Sequence, residues 1–175
     1  RIFEMMSRPE TLKSRPEMQY LAPGVRQMAI EGNHYVNGAN PGWIAHVQRV
    51  VDFNRKLIPA FAAAGVPIVT GTDSLVPGIV PGFSLHDELA TFVRAGLTPF
   101  AALQTATINP ATYLGVTGSK GTIETGKQAE LLLLDKNPLQ DIGNTRSINT
   151  VFKGEMVFEK AAIVQMLEEA KILGN

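Results

Sequence analysis

Thr72-Asp73-Ser74 sets one carboxylate between two hydroxyls, directly behind the apolar run Val66-Pro67-Ile68-Val69-Thr70 and a glycine, Gly71. Residues 66–70 read as a buried strand, because apolar and β-branched residues follow a Gly-Val-Pro entry, and Gly71 then lets the backbone turn. Asp73 would stand at the carboxyl end of that strand. Parallel α/β folds and barrels gather their active-site groups there, and a carboxylate flanked by hydroxyls can be aimed into a cleft. The structural alternative is a turn carboxylate that caps the next segment. Further on, Ser84-Leu85-His86-Asp87-Glu88-Leu89 places His86 and Glu88 behind the loop that follows Asp73. Either they orient Asp73 or touch a substrate, as supporting groups do around reactive centres, or Glu88 is a helix-face charge and His86 an interior polar group tied to backbone. His34 reads as a loop side chain or a substrate contact, and His46 as a helix-face residue. The three histidines form no His-x-His pair and show no other ligand spacing. The chain has no cysteine, which rules out disulfides, thiolate zinc sites and cysteine nucleophiles.

The elements that must position these groups follow from periodicity. Trp43, Ile44, Val47, Val50, Val51, Leu57, Ile58 and Phe61 recur at three- and four-residue intervals, the pattern of a helix with one buried stripe. Pro59 removes a backbone donor and is expected to kink or divide its last turns. Gly65 closes the helix and feeds the strand. Ser84 with Asp87 has the form of a capping box, for a helix that buries Leu85, Leu89, Phe92 and Val93 and stops at Gly96. Thr98-Pro99 opens the next helix as N-cap and first-turn proline, and Asn109-Pro110 restarts a third that ends at Gly115. From Gly121 the chain reads as strands, at 122–123, 129–134, 148–152 and 155–158, with turns at Thr125-Gly126-Lys127 and Lys153-Gly154. An amphipathic helix built on Ile163, Met166, Leu167 and Ala170 follows. Residues 1–40 are the least legible, a loop bearing Tyr20, His34 and Tyr35 with a short helix near 23–30.

Composition narrows the partners. Sixteen basic residues balance sixteen acidic ones with no run of Lys or Arg, so there is no electrostatic footprint for nucleic acid or an anionic membrane. The longest aliphatic run, Leu131-Leu132-Leu133-Leu134, is far too short to span a bilayer. A hydrophobic content of 45% over 175 residues is enough for a core. The expectation is a soluble chain with a small-molecule substrate and neither a nucleic-acid nor a membrane partner. The cytoplasm is favoured, with an upstream signal peptide or domain left open because the first residue is Arg1.

Several motifs now stand in register: Gly65-Val66-Pro67-Ile68-Val69-Thr70-Gly71-Thr72-Asp73, Ser84-Leu85-His86-Asp87-Glu88-Leu89, Ala95-Gly96-Leu97-Thr98-Pro99, Asn109-Pro110-Ala111, Leu114-Gly115, Gly121-Thr122-Ile123, Ala129-Glu130-Leu131 and Asn137-Pro138-Leu139. In this order and spacing they resemble the carboxyl-terminal part of the amidohydrolase superfamily, in its imidazolonepropionase-like and prolidase-like branch. The resemblance covers residues 50–158. It implies an α/β fold, the C-terminal portion of a (β/α)8 amidohydrolase barrel plus half of a small β-sandwich. Residues 1–118 would belong to the barrel, with its last strand near 66–70. Residues 119–160 would supply the C-terminal strands of a composite sandwich, and residues 161–175 a terminal helix.

The same resemblance places Asp73 on the family's strand-eight aspartate, which contacts a metal, takes a proton from the water that attacks a carbonyl carbon, and passes it to the leaving nitrogen. The chemistry is general, since a divalent cation acidifies water and a nearby carboxylate of lower pKa can accept the proton. Thr72, Ser74, His86 and Glu88 become candidate supporting or substrate-facing groups. The family's paired histidines of the first strand, its fourth-strand ligand and its histidines of the fifth and sixth strands have no counterpart here. The expectation is that they would precede Arg1 and that Asp73 is the single metal ligand in this chain. Glu130, where the family commonly has Asp, is expected to alter packing or a surface contact. The implied activity is metal-dependent hydrolysis of a C–N bond outside ordinary protein peptide bonds, in an amide, cyclic amide or dipeptide. The cofactor is a divalent metal, zinc by preference, with binding by this chain alone left open. Two alternatives stand beside it: a catalytically incomplete module that needs a missing or partner half-barrel, because one or two strands cannot close an eight-stranded barrel, and a deaminase of the same superfamily. Uncovered apolar faces would favour oligomerisation or association with the missing amino-terminal part.

Overall fold

Asn40 starts the longest helix of the chain. Its Oδ1 accepts a hydrogen bond from the Trp43 N–H at 2.9 Å, and Pro41 occupies the first turn, where an N–H would have no intrahelical partner. The computed structural model describes residues 11, 14–33, 40–74, 76 and 78–173; His34 and Tyr35 lie outside the described residues. Within them, helix α1 (Pro23–Ile30) precedes this long helix, α2 (Pro41–Ala63), which continues through Pro59. The proline does not divide it, because only the final residues of the helix follow and the loss is confined to one bond, toward the carbonyl of Arg55. The buried stripe is narrower than the periodicity suggests. Val47 and Val51 are buried, while Trp43, Phe53 and Phe61 are 42%, 59% and 46% exposed, and the Trp43 ring stacks on His46 instead.

The main core forms where helices α3 (Phe83–Arg94) and α4 (Pro99–Thr105) meet the 3-10 turn Ile142–Arg146. Leu89, Phe92, Leu97, Ala102 and Ile142 are buried together, with Ile58 of α2 and Ile68 packed against them. Each such aliphatic or aromatic side chain contributes about 1.5–3 kcal/mol on burial, so this cluster fixes α3 relative to the segment that carries Asp73. A second cluster joins Met18, Ala29 and Val80, and beside it the Tyr20 ring stacks on Phe83 at 4.9 Å. Thr98 caps α4 as expected, its Oγ1 accepting the Ala101 N–H at 3.1 Å. The capping box at Ser84 is not formed. The N-cap of α3 is Gly82, and Ser84, already inside the helix and buried, donates its hydroxyl to the Val80 carbonyl. Asp87 is thereby left for longer-range partners.

Helix α5 (Ile108–Tyr113) is followed by a close approach at Gly121, where φ is 96° and a Cβ would sit 2.6 Å from that of Ala111. Only glycine fits there. Residues 122–123 form no strand. The small sheet comprises β1 (Glu130–Leu134), β2 (Ile148–Lys153) and β3 (Met156–Glu159), antiparallel in the order β1-β2-β3. Leu132 faces Val151, and Val151 faces Phe158. Gly154, at φ 61°, opens the two-residue turn between β2 and β3. Glu130 forms a surface ion pair with Lys120 at 2.8 Å. Helix α6 (Lys160–Leu173) completes the order. The architecture is therefore helices with a small antiparallel sheet. Among the described residues these three strands are the only ones, and no helix is long and apolar enough to cross a membrane.

Candidate active site

Residues 66–70 do not form the expected buried strand. Ile68 reaches the core, but Val66 and Val69 are 48% and 40% exposed, and no strand among the described residues pairs with the segment. Without a neighbour to complete a ladder, its backbone groups go to the helices instead. The Ile68 carbonyl accepts from Asn109 Nδ2 at 2.8 Å. Thr70 donates both its N–H and its Oγ1 hydroxyl to the Thr105 carbonyl, at 2.9 and 3.2 Å. The Gly71 N–H donates to Glu88 Oε1 at 3.1 Å. Three positions along the segment are thus fixed by α3, α4 and α5.

The turn that follows is made by Asp73 and not by Gly71. Asp73 has φ 51°, the one positive φ outside glycine among the described residues, and Gly71 is absent from the positive-φ set. An L-residue held in this left-handed region carries a cost of about 1 kcal/mol, lowest for Asp and Asn. The Asp73 carbonyl accepts the Val76 N–H at 3.0 Å. Its carboxylate is exposed and makes no hydrogen bond or ion pair among the described residues, so it does not cap the next segment. Thr72 is half-buried and Ser74 exposed, and neither hydroxyl is engaged among the described residues.

The helix behind the loop gives three consecutive polar side chains, His86, Asp87 and Glu88, three different tasks. His86 Nδ1 lies 2.9 Å from Thr145 Oγ1, and that hydroxyl already donates to the Ile142 carbonyl at 2.8 Å. Thr145 must therefore accept from Nδ1–H, which leaves Nε2 as the basic nitrogen. Burial, reinforced by the Arg146 charge and opposed by Asp87, lowers the His86 pKa and favours the neutral ring. His86 thus ties α3 to the 142–146 turn and has no bond to Asp73. Asp87 accepts from Arg15 Nη2 and from Arg146 Nη2, each at 2.6 Å, and Arg15 also pairs with the buried Glu17. Glu88 alone reaches the Asp73 segment. Burial raises its pKa, partly offset by the hydrogen bond from Gly71.

Asn109 and Thr105 were not identifiable from the sequence as holders of this segment. Asn-Pro reads locally as a helix start, and a carbonyl of one helix has no residue signature at all. Asp87 carried a signal, but it pointed to a cap.

Asp73 suits a divalent cation chemically, being an exposed oxygen donor with no competing cation. No group of three or more His, Asp or Glu side chains converges among the described residues, and a protein site for zinc uses three or four donors. Among the described residues, Asp73 would supply one ligand of such a set.

The chain thus presents a carboxylate at the end of a segment clamped by the helices that follow it, with a small antiparallel sheet beyond. The chain belongs to the amidohydrolase family, which residues 18–169 match. It is similar to ochratoxinase of Aspergillus niger, 31% identical over an alignment of 132 residues, with 73% of this chain and 26% of that protein covered. It is also similar to imidazolonepropionase of Deinococcus radiodurans, 33% identical over 132 residues, 74% of this chain and 32% of that one. The solved structure of a Xaa-Pro dipeptidase with methionine in its active site is 26% identical and matches with a TM-score of 0.57, over 79% of this chain and 34% of that structure. The chain spans 26% to 34% of the length of these relatives.

Proposed function

We propose that this chain is the carboxyl-terminal part of a metal-dependent hydrolase that cleaves C–N bonds in amides, cyclic amides or dipeptides. The observation that carries the reading is Asp73, an exposed and unpartnered carboxylate on a left-handed turn whose approach segment is clamped by three helices. Family membership supports the reaction class, and the names of the relatives support the substrate range. Asp73 would contribute one oxygen ligand to a divalent metal, zinc by preference, with the other ligands coming from outside this chain. Such a cation, when bound, supplies the acidity that makes water a nucleophile near neutral pH. Asp73 then accepts the proton of the attacking water and returns it to the nitrogen that leaves, which neutralises the amine as the C–N bond breaks. A second reading stands beside it: the chain is a module that needs a missing or partner half-barrel, in keeping with the lack of a converging ligand set among the described residues.

The test is metal removal from the complete protein, assayed on a panel of N-acyl amino acids, dipeptides and cyclic amides. We expect release of a carboxylate and an amine from at least one class, loss of that activity on chelation, and recovery with added zinc. A rate unchanged by exhaustive chelation would overturn the proposal. Release of ammonia from an amino-substituted ring added to the panel, with a carbonyl oxygen from water left in its place and the ring intact, would move the assignment to a deaminase.

A further inference from the structure

We infer that Glu88 is a positioning residue for Asp73, acting through the backbone: its carboxylate holds the Gly71 N–H and so fixes the register of the turn on which Asp73 stands. This rests on the reading of Asp73 as the proton acceptor. Of the bonds that fix the segment, those at Ile68 and Thr70 lie deeper along the chain. The bond from the Gly71 N–H to Glu88 Oε1, at 3.1 Å, is the last one before the turn. Between it and Asp73 stands only Thr72, whose side chain makes no hydrogen bond among the described residues. Gly71 itself offers no packing that could replace the bond, since a Cβ placed there would meet nothing within 4 Å. Asp73 meanwhile occupies a backbone region that an L-residue leaves unless its surroundings hold it.

Glu88 is well placed for this role. It sits one position before Leu89, a member of the main buried cluster, and one after Asp87, which Arg15 and Arg146 grip from two sides. The turn of helix on which Glu88 is mounted is therefore held on one side by the buried cluster and on the other by two ion pairs. A carboxylate oxygen accepting a backbone N–H is a charge-assisted bond, stronger than its neutral counterpart. A helix-face charge with no such task would instead turn outward to water.

Glu88→Gln keeps an acceptor oxygen of the same reach, and Glu88→Ala removes it. In the complete enzyme we expect Glu88→Ala to lower kcat by roughly ten- to a hundredfold with little change in KM, the size typical for groups that orient a reacting residue. Glu88→Gln should stay within a few-fold of wild type. Amide hydrogen exchange should show the Gly71 N–H protected in wild type and Glu88→Gln and unprotected in Glu88→Ala, a readout independent of activity. Wild-type kcat in Glu88→Ala, equal losses in both variants, or an unprotected Gly71 amide in wild type would each overturn the inference. Failure of the Asp73 assignment is seen separately: Asp73→Asn would then remain active whatever Glu88 does.

Discussion

Asp73→Asn in the complete enzyme is expected to reduce kcat by roughly two to four orders of magnitude, the range that a positioned general base contributes. The substitution is close to isosteric, and Asn tolerates the left-handed backbone as well as Asp does. No hydrogen bond or ion pair among the described residues is broken by it. The folded structure and thermal midpoint should therefore be unchanged, so the loss reads out chemistry and not unfolding. What is removed is the carboxylate charge, which serves both proton acceptance and ligation of the cation, so metal content is measured beside kcat. Steady-state kinetics alongside a thermal melt checks this, and a kcat within a few-fold of wild type would remove Asp73 from the mechanism.

Asp87→Ala is expected to destabilise the protein by about 3 kcal/mol, the lower end of the range for removing one partner of a buried ion pair. The Asp87 side chain is 18% exposed and that of Arg15 8%, so the Arg15 guanidinium stays out of water with Glu17 as a carboxylate partner. Arg146 is more exposed and can rehydrate. The contrast is Glu130→Ala, which breaks the exposed pair with Lys120 and should cost well under 1 kcal/mol. Denaturant unfolding of the two variants measures the difference. Equal stabilities would show that the Arg15–Asp87–Arg146 cluster does not hold α3 in place. Because Glu88 rides on the same helix, Asp87→Ala should also loosen the Gly71 amide.

The parts of the fold legible in the sequence are those set by local chemistry. Thr98-Pro99 announces a helix start and makes one, since cap and first-turn proline act within a single turn. The strands near 130, 148 and 156 follow from short apolar runs punctuated by Gly154. Pro23–Ile30 falls where a proline-led helix was expected. Errors occur where tertiary partners decide. Ser84 and Asp87 have the spacing of a cap, yet burial turns the serine onto Val80 and two arginines far along the chain claim the aspartate. Residues 66–70 have strand composition, but a strand needs a neighbour, and among the described residues helix side chains take its place. At the candidate site the sequence marks Asp73 by type and neighbours and places the turn on Gly71, too early in the chain. The Asn109, Thr105 and Glu88 clamps act over separations for which no spacing rule exists.

The most direct test is the position of the Asp73 carboxylate relative to a cation. Anomalous diffraction from crystals of the complete protein grown with zinc is expected to place one Asp73 oxygen about 2.0–2.2 Å from a metal whose other ligands lie outside this chain. A metal ligated wholly by other groups, with the Asp73 side chain turned away from it, would contradict the assignment.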